Sequence, residues 1–382
     1  MTVTIAIGDS GRLMYNKTDS NVTNVIQEYA MKKETADTGE MLETKDQLSE
    51  KERRIRQIKN SPPIFIIGSQ RSGTSFLYRL VQSYLKIGFG RDNGNFVRMM
   101  DMLRFYGDLA EEQNIRRLLK DILAIPEFKK RFKGLVIDED HFIDNLEERS
   151  YAEVVRRFYA EWAYFKDTDR WGGKTPDYSI YANELYSLFP DAKFIHIMRD
   201  GRDVALSLFK LEWGPESPMQ AAKHWKDRAK SALDFGKGLT DKTYMELRYE
   251  GLLDNPQKEF ARIVHFIEYE GDREALINQF NSEIEGKIKQ GNYNKWKREM
   301  SPRQIKAFER VAGDLLKELN YEVTSDASTL ASKPGAVAWG MDHLENVSRK
   351  LARGQGFVGL WNRVRRFTKD NFVKLSFYLG RR

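Results

Sequence analysis

The segment Pro63-Ile-Phe-Ile-Ile-Gly68-Ser-Gln-Arg71-Ser-Gly73-Thr74-Ser75-Phe-Leu constrains this chain more than any other. Four apolar residues, Ile64 to Ile67, read as a buried strand, and Thr74 to Tyr84 carries helical periodicity. Between them lies a loop of glycine, serine and threonine with one arginine. Such a loop lets backbone N–H groups converge at a helix N-terminus, where aligned peptide dipoles favour an anion. The spacing Gly68-x4-Gly73-Thr74-Ser75 is that of a phosphate-binding loop with one change. Thr74 stands where a nucleoside triphosphatase has its lysine, and the compensating cation is Arg71, inside the loop. A triphosphate is handled by lysine together with Mg²⁺. A less charged transferred group can be met by hydroxyls, amides and one or two cations.

A strand that feeds a helix in this way belongs to an α/β fold. From Ile64 onward short apolar runs alternate with amphipathic ones, which predicts a P-loop-like three-layer architecture: a central, mostly parallel sheet flanked by helices, with a helical C-terminal extension. Strands are predicted at 64–67, 85–89, 193–198 and 243–248. Helices are predicted at 74–84, 115–125, 152–165 and 178–188, and they dominate beyond Asp203. Residues 1–60 are polar and end at Asn60-Ser-Pro-Pro, so they read as an N-terminal extension before a domain at 61–324. Residues 325–337 have linker composition, and 338–382 form a basic tail.

Charge sharpens that division. Between Trp339 and Arg382 ten Lys and Arg face three acids; 63 less ten and 56 less three both leave 53, so the net +7 resides in the tail. The core therefore carries no signature of a nucleic-acid partner. In the tail, Phe357, Leu360, Trp361, Val364, Phe367, Phe372 and Leu375 are spaced as one helical face, which reads as a membrane-surface helix or one packed on its own domain. Gly354-Gln-Gly356-Phe-Val-Gly359 matches a dinucleotide fingerprint but follows no strand. The absence of cysteine excludes disulfides, thiolate zinc sites and cysteine nucleophiles. With no signal sequence or spanning stretch, the expected location is cytoplasmic, with peripheral contact at the inner membrane face.

A second strand-turn-helix follows at Phe194-Ile-His-Ile-Met-Arg199-Asp-Gly-Arg202-Asp203-Val-Ala-Leu-Ser207. Arg199 ends the strand and Ser207 lies on the second helical turn, both at the carboxyl edge of the sheet where open α/β folds bind ligands. Arg202 and Asp203 read as a local ion pair that pins the turn.

Together the two motifs resemble those of the sulfotransferases that use 3′-phosphoadenosine 5′-phosphosulfate (PAPS). Trp171-Gly-Gly-Lys174-Thr-Pro-Asp-Tyr, Leu247-Arg-Tyr249-Glu-Gly and Lys295-Trp-Lys-Arg extend the resemblance over roughly residues 62 to 322. It is nearest to the bacterial, tyrosylprotein and glycosaminoglycan-type branches. The resemblance implies that Arg71, Ser72, Gly73, Thr74 and Ser75 hold the 5′-phosphosulfate and that Arg199 and Ser207 hold the 3′-phosphate. Tyr249 would lie near the adenine. The C-terminal Arg-Lys-Gly of the cytosolic branch is missing, so Lys295, Lys297 or Arg298 would close over the nucleotide.

For the chemistry, Arg71 and Lys174 would serve the leaving group, and no metal is required. The resemblance points to Asp92, in Phe89-Gly-Arg-Asp92-Asn-Gly-Asn, as the carboxylate base, with His141 the second candidate. The implied acceptor is a hydroxyl or amine, on a glycan, glycolipid or small hydroxylated molecule; oligomeric state is not written in the sequence. Two other readings stay open here: a P-loop-type kinase or NTPase with an atypical loop, and a membrane-associated scaffold with a vestigial cradle.

Overall fold

In the computed structural model the described residues are 45–352, apart from 91, 93, 213, 216, 285–287, 289 and 290. The amphipathic tail positions from Phe357 to Leu375 and the Gly354–Gly359 fingerprint lie outside them.

Five parallel strands form the centre: β1 (Ile64–Ile67), β2 (Ile87–Gly90), β3 (Arg170–Lys174), β4 (Lys193–Met198) and β5 (Tyr244–Arg248). Their order is β2-β3-β1-β4-β5, so β1 sits in the middle with β3 on one side and β4 on the other. The expected α/β three-layer fold is what forms. Side chains along β1 alternate between its faces, as the pleat requires. Phe65 and Ile67 enter a cluster with Trp171, Tyr178, Phe189 and Phe194, whereas Ile64 and Ile66 pack with Leu77, Val81 and Ile263. Burial on both faces explains why the strand is an unbroken apolar run.

Strand β3 was not expected. Its sequence Arg-Trp-Gly-Gly-Lys holds one large apolar residue and two glycines, which are poor strand formers. The pairing partners supply the reason for the glycines. A Cβ on Gly172 would stand 2.2 Å from the Ile64 carbonyl oxygen, and one on Gly173 would stand 2.8 Å from the Tyr178 ring. The helix predicted at 178–188 divides into a 3-10 turn, Pro176–Ser179, and a helix, Ala182–Leu188.

The compact units divide between Arg53 and Arg54, inside the helix Lys45–Asn60. Ile55 and Ile58 join the aromatic core, and buried Lys59 is bonded to Glu153 and to Glu147, so the last turns before Pro62 are not an appendage. In the supposed linker, Asp326 caps a short helix, Ala327–Ala331, whose Leu330 packs on Gly313. Alanine and serine are neutral in composition, and docking makes the segment helical.

A third core cluster joins Met198, Val204, Trp225, Trp296, Phe308 and Leu316. It makes the helix Pro302–Glu318 part of the body that supports β4 and the turn after it.

Candidate active site

The loop after β1 is held in a conformation that only its own residues permit. Gly73 has φ +98°, and a Cβ there would lie 2.4 Å from Cδ2 of Tyr249. Glycine thus lets the aromatic ring from the end of β5 rest against the loop. Arg71 has φ +70°, a region side-chain-bearing residues seldom occupy. Its Nε donates to Ser207 Oγ at 2.8 Å, joining the two motifs across 136 positions of sequence.

Beside this contact opens a cavity of ≈ 440 Å³. Arg71, Gly73, Thr74 and Ser75 line it from the loop, Arg199 and Ser207 from the second motif, and Tyr249 and Lys295 from farther along the chain. Each side chain is placed by the same rule: it follows the carboxyl end of β1, β4 or β5, or lies on the segment before the helix Trp296–Glu299. Arg199 stacks 4.4 Å from the Tyr249 ring centroid, and its Nη2 donates to the Asn292 carbonyl at 2.9 Å. Its buried Nε has no hydrogen-bond partner. An unpaired buried guanidinium donor on a residue that lines a cavity is the kind of group that an anion would complete.

The sequence reading missed the apolar Phe76 and Leu206 and five polar residues that line this cavity: Arg79, Asp203, Lys210, Asn292 and Glu299. Arg79 was legible in principle, being on the turn of helix after the loop. Asn292 was not, since it arrives through tertiary folding; its Nδ2 donates to Tyr249 Oη at 2.8 Å. Asp203 does not pair with Arg202. Its Oδ1 accepts from the Trp296 backbone N–H at 3.0 Å, anchoring the Lys295 segment, and burial pushes its carboxyl above the usual range. Arg202, fully buried, instead binds Asp200 and Glu309 and lies 3.5 Å over the Trp296 ring.

Not every expected residue reaches the cavity. Ser72 is buried beneath the loop, its N–H donating to the Ser69 carbonyl. Lys174, at the end of β3, stands behind the loop with Nζ 3.2 Å from Ser75 Oγ. Lys297 pairs with Glu322 rather than with the cavity. His141 sits on the helix Glu139–Asp144 with its Nδ1 3.4 Å from Asn145 Nδ2, away from the cavity lining.

Asp92 does not line the cavity. Its carboxylate is fully buried and accepts from Gly94 N–H at 3.2 Å, Phe96 N–H at 3.0 Å and Tyr178 Oη–H at 2.5 Å. Burial outweighs these donors and pushes its carboxyl upward. A base must come within hydrogen-bond reach of the proton it takes. In this arrangement Asp92 closes the turn after β2 and does not open onto the cavity.

The profile of the Sulfotransferase family matches residues 62–273, which run from just before β1 to the start of the helix Arg273–Ile284. The chain belongs to the sulfotransferase family. The expected enzyme class, a PAPS-dependent sulfotransferase, stands with that membership. No curated protein matches the chain. Among solved structures it is similar to the sulfotransferase domain from the curacin biosynthetic pathway, at 18% identity over 69% of this chain and 99% of that one, with a TM-score of 0.42. It is similar also to the sulfotransferase STF9 from Mycobacterium avium, at 14% identity over 72% of this chain and 81% of that one, with a TM-score of 0.43. A third is retinol dehydratase in complex with androsterone and inactive cofactor PAP, at 15% identity, 72% and 87% coverage and a TM-score of 0.33. In this sulfotransferase the Asn292–Glu299 wall of the cavity lies beyond the matched span.

Proposed function

We propose that this sulfotransferase moves the sulfuryl group of PAPS to a hydroxyl or amine by in-line displacement, with the nucleotide in the cavity between the loop and Tyr249. The observation that carries this reading is the Arg71–Ser207 contact, which brings the two anion-binding motifs into one cavity. Five cations line that cavity, Arg71, Arg79, Arg199, Lys210 and Lys295, against the acids Asp203 and Glu299. This surplus suits a ligand with a phosphate at one end and a phosphosulfate at the other. Arg199, with its open Nε, and Ser207 would take the 3′-phosphate. The N–H groups and hydroxyls of Gly73, Thr74 and Ser75 would take the 5′ end, with Tyr249 against the base.

Sulfuryl transfer forms a bond from the acceptor oxygen or nitrogen to sulfur, releases the acceptor's proton to solvent, and breaks the bond from sulfur to the phosphate oxygen, which leaves with the electron pair. Arg71 and Lys174 would stabilise that oxygen, Lys174 through its position behind Ser75. The acceptor class carried forward from the resemblance is a glycan or glycolipid hydroxyl. Incubation of the enzyme with labelled PAPS and cell extract, followed by identification of the labelled product, tests it.

The nucleotide half has a direct test. PAP should raise the melting temperature without Mg²⁺, and Arg71→Ala or Arg199→Ala should abolish the shift. A shift with Mg·ATP and none with PAP would overturn the reading in favour of a nucleoside triphosphatase.

The C-terminal region we assign to an anionic lipid surface. On the helix Ala336–Ala352 the side chains of Val337, Met341, Leu344 and Val347 are exposed, at 77%, 63%, 68% and 40%, and follow one another at helical spacing. The sequence that follows holds the basic excess, the combination of apolar and cationic groups that headgroups attract. No helix of the described residues is long and apolar enough to cross a membrane.

A further inference from the structure

The loop after β1 divides the carboxyl edge of the sheet into two halves. The cavity described above uses the ends of β1, β4 and β5. On the other half, the ends of β1, β3 and β2 lead to a ring of polar side chains that this cavity does not include. Gln70, the neighbour of Arg71 in the loop, donates from Nε2 to Asp177 Oδ1 at 3.3 Å. Asp177, three residues past the end of β3, also receives Arg228 Nη2 at 3.4 Å and, on its other oxygen, Arg98 Nη2 at 2.9 Å from the helix after β2. His224 closes the ring, its Nε2 bonded to Gln70 Oε1 and its Nδ1 3.2 Å from Arg228 Nη1.

The donors and acceptors in this ring allow a single assignment. A guanidinium only donates and a carboxylate only accepts. Arg228 therefore donates to His224 Nδ1, His224 donates from Nε2 to Gln70 Oε1, and the Gln70 amide donates to Asp177. A protonated His224 would set N–H against N–H at Arg228. Burial, reinforced by Arg228, accordingly holds its imidazole down to about 4. The ring thus carries two guanidinium charges against one carboxylate. Arg228 Nε, buried, has no hydrogen-bond partner, while the Arg98 side chain is half exposed and Asp177 is 23% exposed. The ring reaches solvent through Arg98 and Asp177, with two guanidinium groups gathered on one carboxylate.

We infer that this ring is the acceptor side of the active site, where Asp177 keeps Arg98 and Arg228 in position for an anionic group, carboxylate, sulfate or phosphate, carried by the acceptor beside its reacting hydroxyl or amine. The inference rests on the sulfuryl-transfer reading, because the loop that supplies Arg71 to the nucleotide supplies Gln70 to the ring. Asp177 acts as an internal anion. An incoming anion shares or takes its guanidinium partners, and binding energy from this remote group positions the acceptor over the loop.

The test uses the full chain saturated with PAP, so that the nucleotide cavity is filled. Sodium sulfate, phosphate and acetate are titrated in turn against chloride at matched ionic strength, with melting temperature as the readout. At least one of the three should raise it beyond chloride, and the strongest arm names the group. Arg228→Ala and Arg98→Ala should weaken that response by roughly tenfold, the loss of a charge-assisted pair. Asp177→Asn should strengthen it, by about threefold or more, because the competing carboxylate is gone. A purely structural role for Asp177 would move the response the other way or not at all. Should Arg228→Ala not fold, Arg98→Ala and Asp177→Asn decide between them. Equal responses to all three anions and chloride, or responses unaltered by Arg98→Ala and Asp177→Asn, overturn the inference. Absence of any PAP shift in the unaltered protein would instead overturn the nucleotide reading, so the two failures are distinct.

Discussion

At the scale of single residues, the site depends on side chains whose partners are far away in sequence. Gly73 is one case. Alanine there must displace the Tyr249 ring from 2.4 Å and adopt φ +98°, so Gly73→Ala should weaken PAP binding by at least about tenfold, measured by calorimetry. Asp92 is another. Its removal leaves two backbone N–H groups buried without an acceptor and the Tyr178 hydroxyl with only Tyr159 Oη at 3.3 Å, so Asp92→Ala should cost about 2–5 kcal/mol in denaturant unfolding. Were Asp92 the proton acceptor, Asp92→Asn would keep the melting temperature and lose kcat; the geometry predicts that activity follows the folded fraction. His196 sets a pH dependence. Its ring is sealed in β4 against Tyr244 Oη at 2.6 Å, and burial holds it down to about 3. Below the unfolded value near 6.5 the unfolded chain takes a proton that the fold refuses, so stability falls with pH by about 1.4 kcal/mol per unit until the folded value is reached. His196→Gln should flatten the decline of the urea midpoint between pH 6.5 and 4.5.

At the scale of elements, the short segment from Lys174 to Ser179 braces the phosphate loop at three points: Lys174 to Ser75, Asp177 to Gln70, and Ser179 Oγ accepting from Gly68 N–H at 2.7 Å. The glycines of β3 make this possible by bringing the strand close to β1. The helix Pro302–Glu318 has a comparable role for the second motif. Glu309 accepts from Arg202 at 2.6 Å and from the Thr324 and Ser325 backbone, tying the turn after β4 to the chain beyond the helix. Glu309→Ala leaves Arg202 half compensated in a dry core, and a loss of about 3–5 kcal/mol in chemical unfolding is expected. The loop of sequence between the helices contributes as well, since Asn292 and Lys295 complete the cavity from outside the matched family span.

For the molecule as a whole, charge and chemistry are segregated. Residues 1–338 hold equal numbers of acidic and basic residues and the basic excess lies in 339–382, while cations gather at the two halves of the sheet edge. Removal of residues 353–382 should leave the PAP-induced melting shift unchanged while lowering retention on phosphatidylserine-containing vesicles, and Leu344→Glu should lower retention further. Vesicle binding that survives both changes would rule out the lipid reading. The phosphate loop, the second motif and the parallel sheet were all legible before folding, because each depends on local pattern: an apolar run, a glycine turn, a helix start and the residue types that anions require. Arg71, Arg199, Ser207 and Tyr249 could be named on that basis. What folding decided was adjacency. β3 was hidden because its glycines answer to strands 108 positions away in pairing rather than to any propensity of their own. Asp92 has the local setting of a base and is sealed by Tyr178, which comes from 86 residues downstream. The ring of Gln70, Asp177, Arg98, His224 and Arg228 joins four separate segments, none carrying a motif for the others. Local pattern sets which groups a chain can offer, and burial and long-range contact determine which of them meet a ligand.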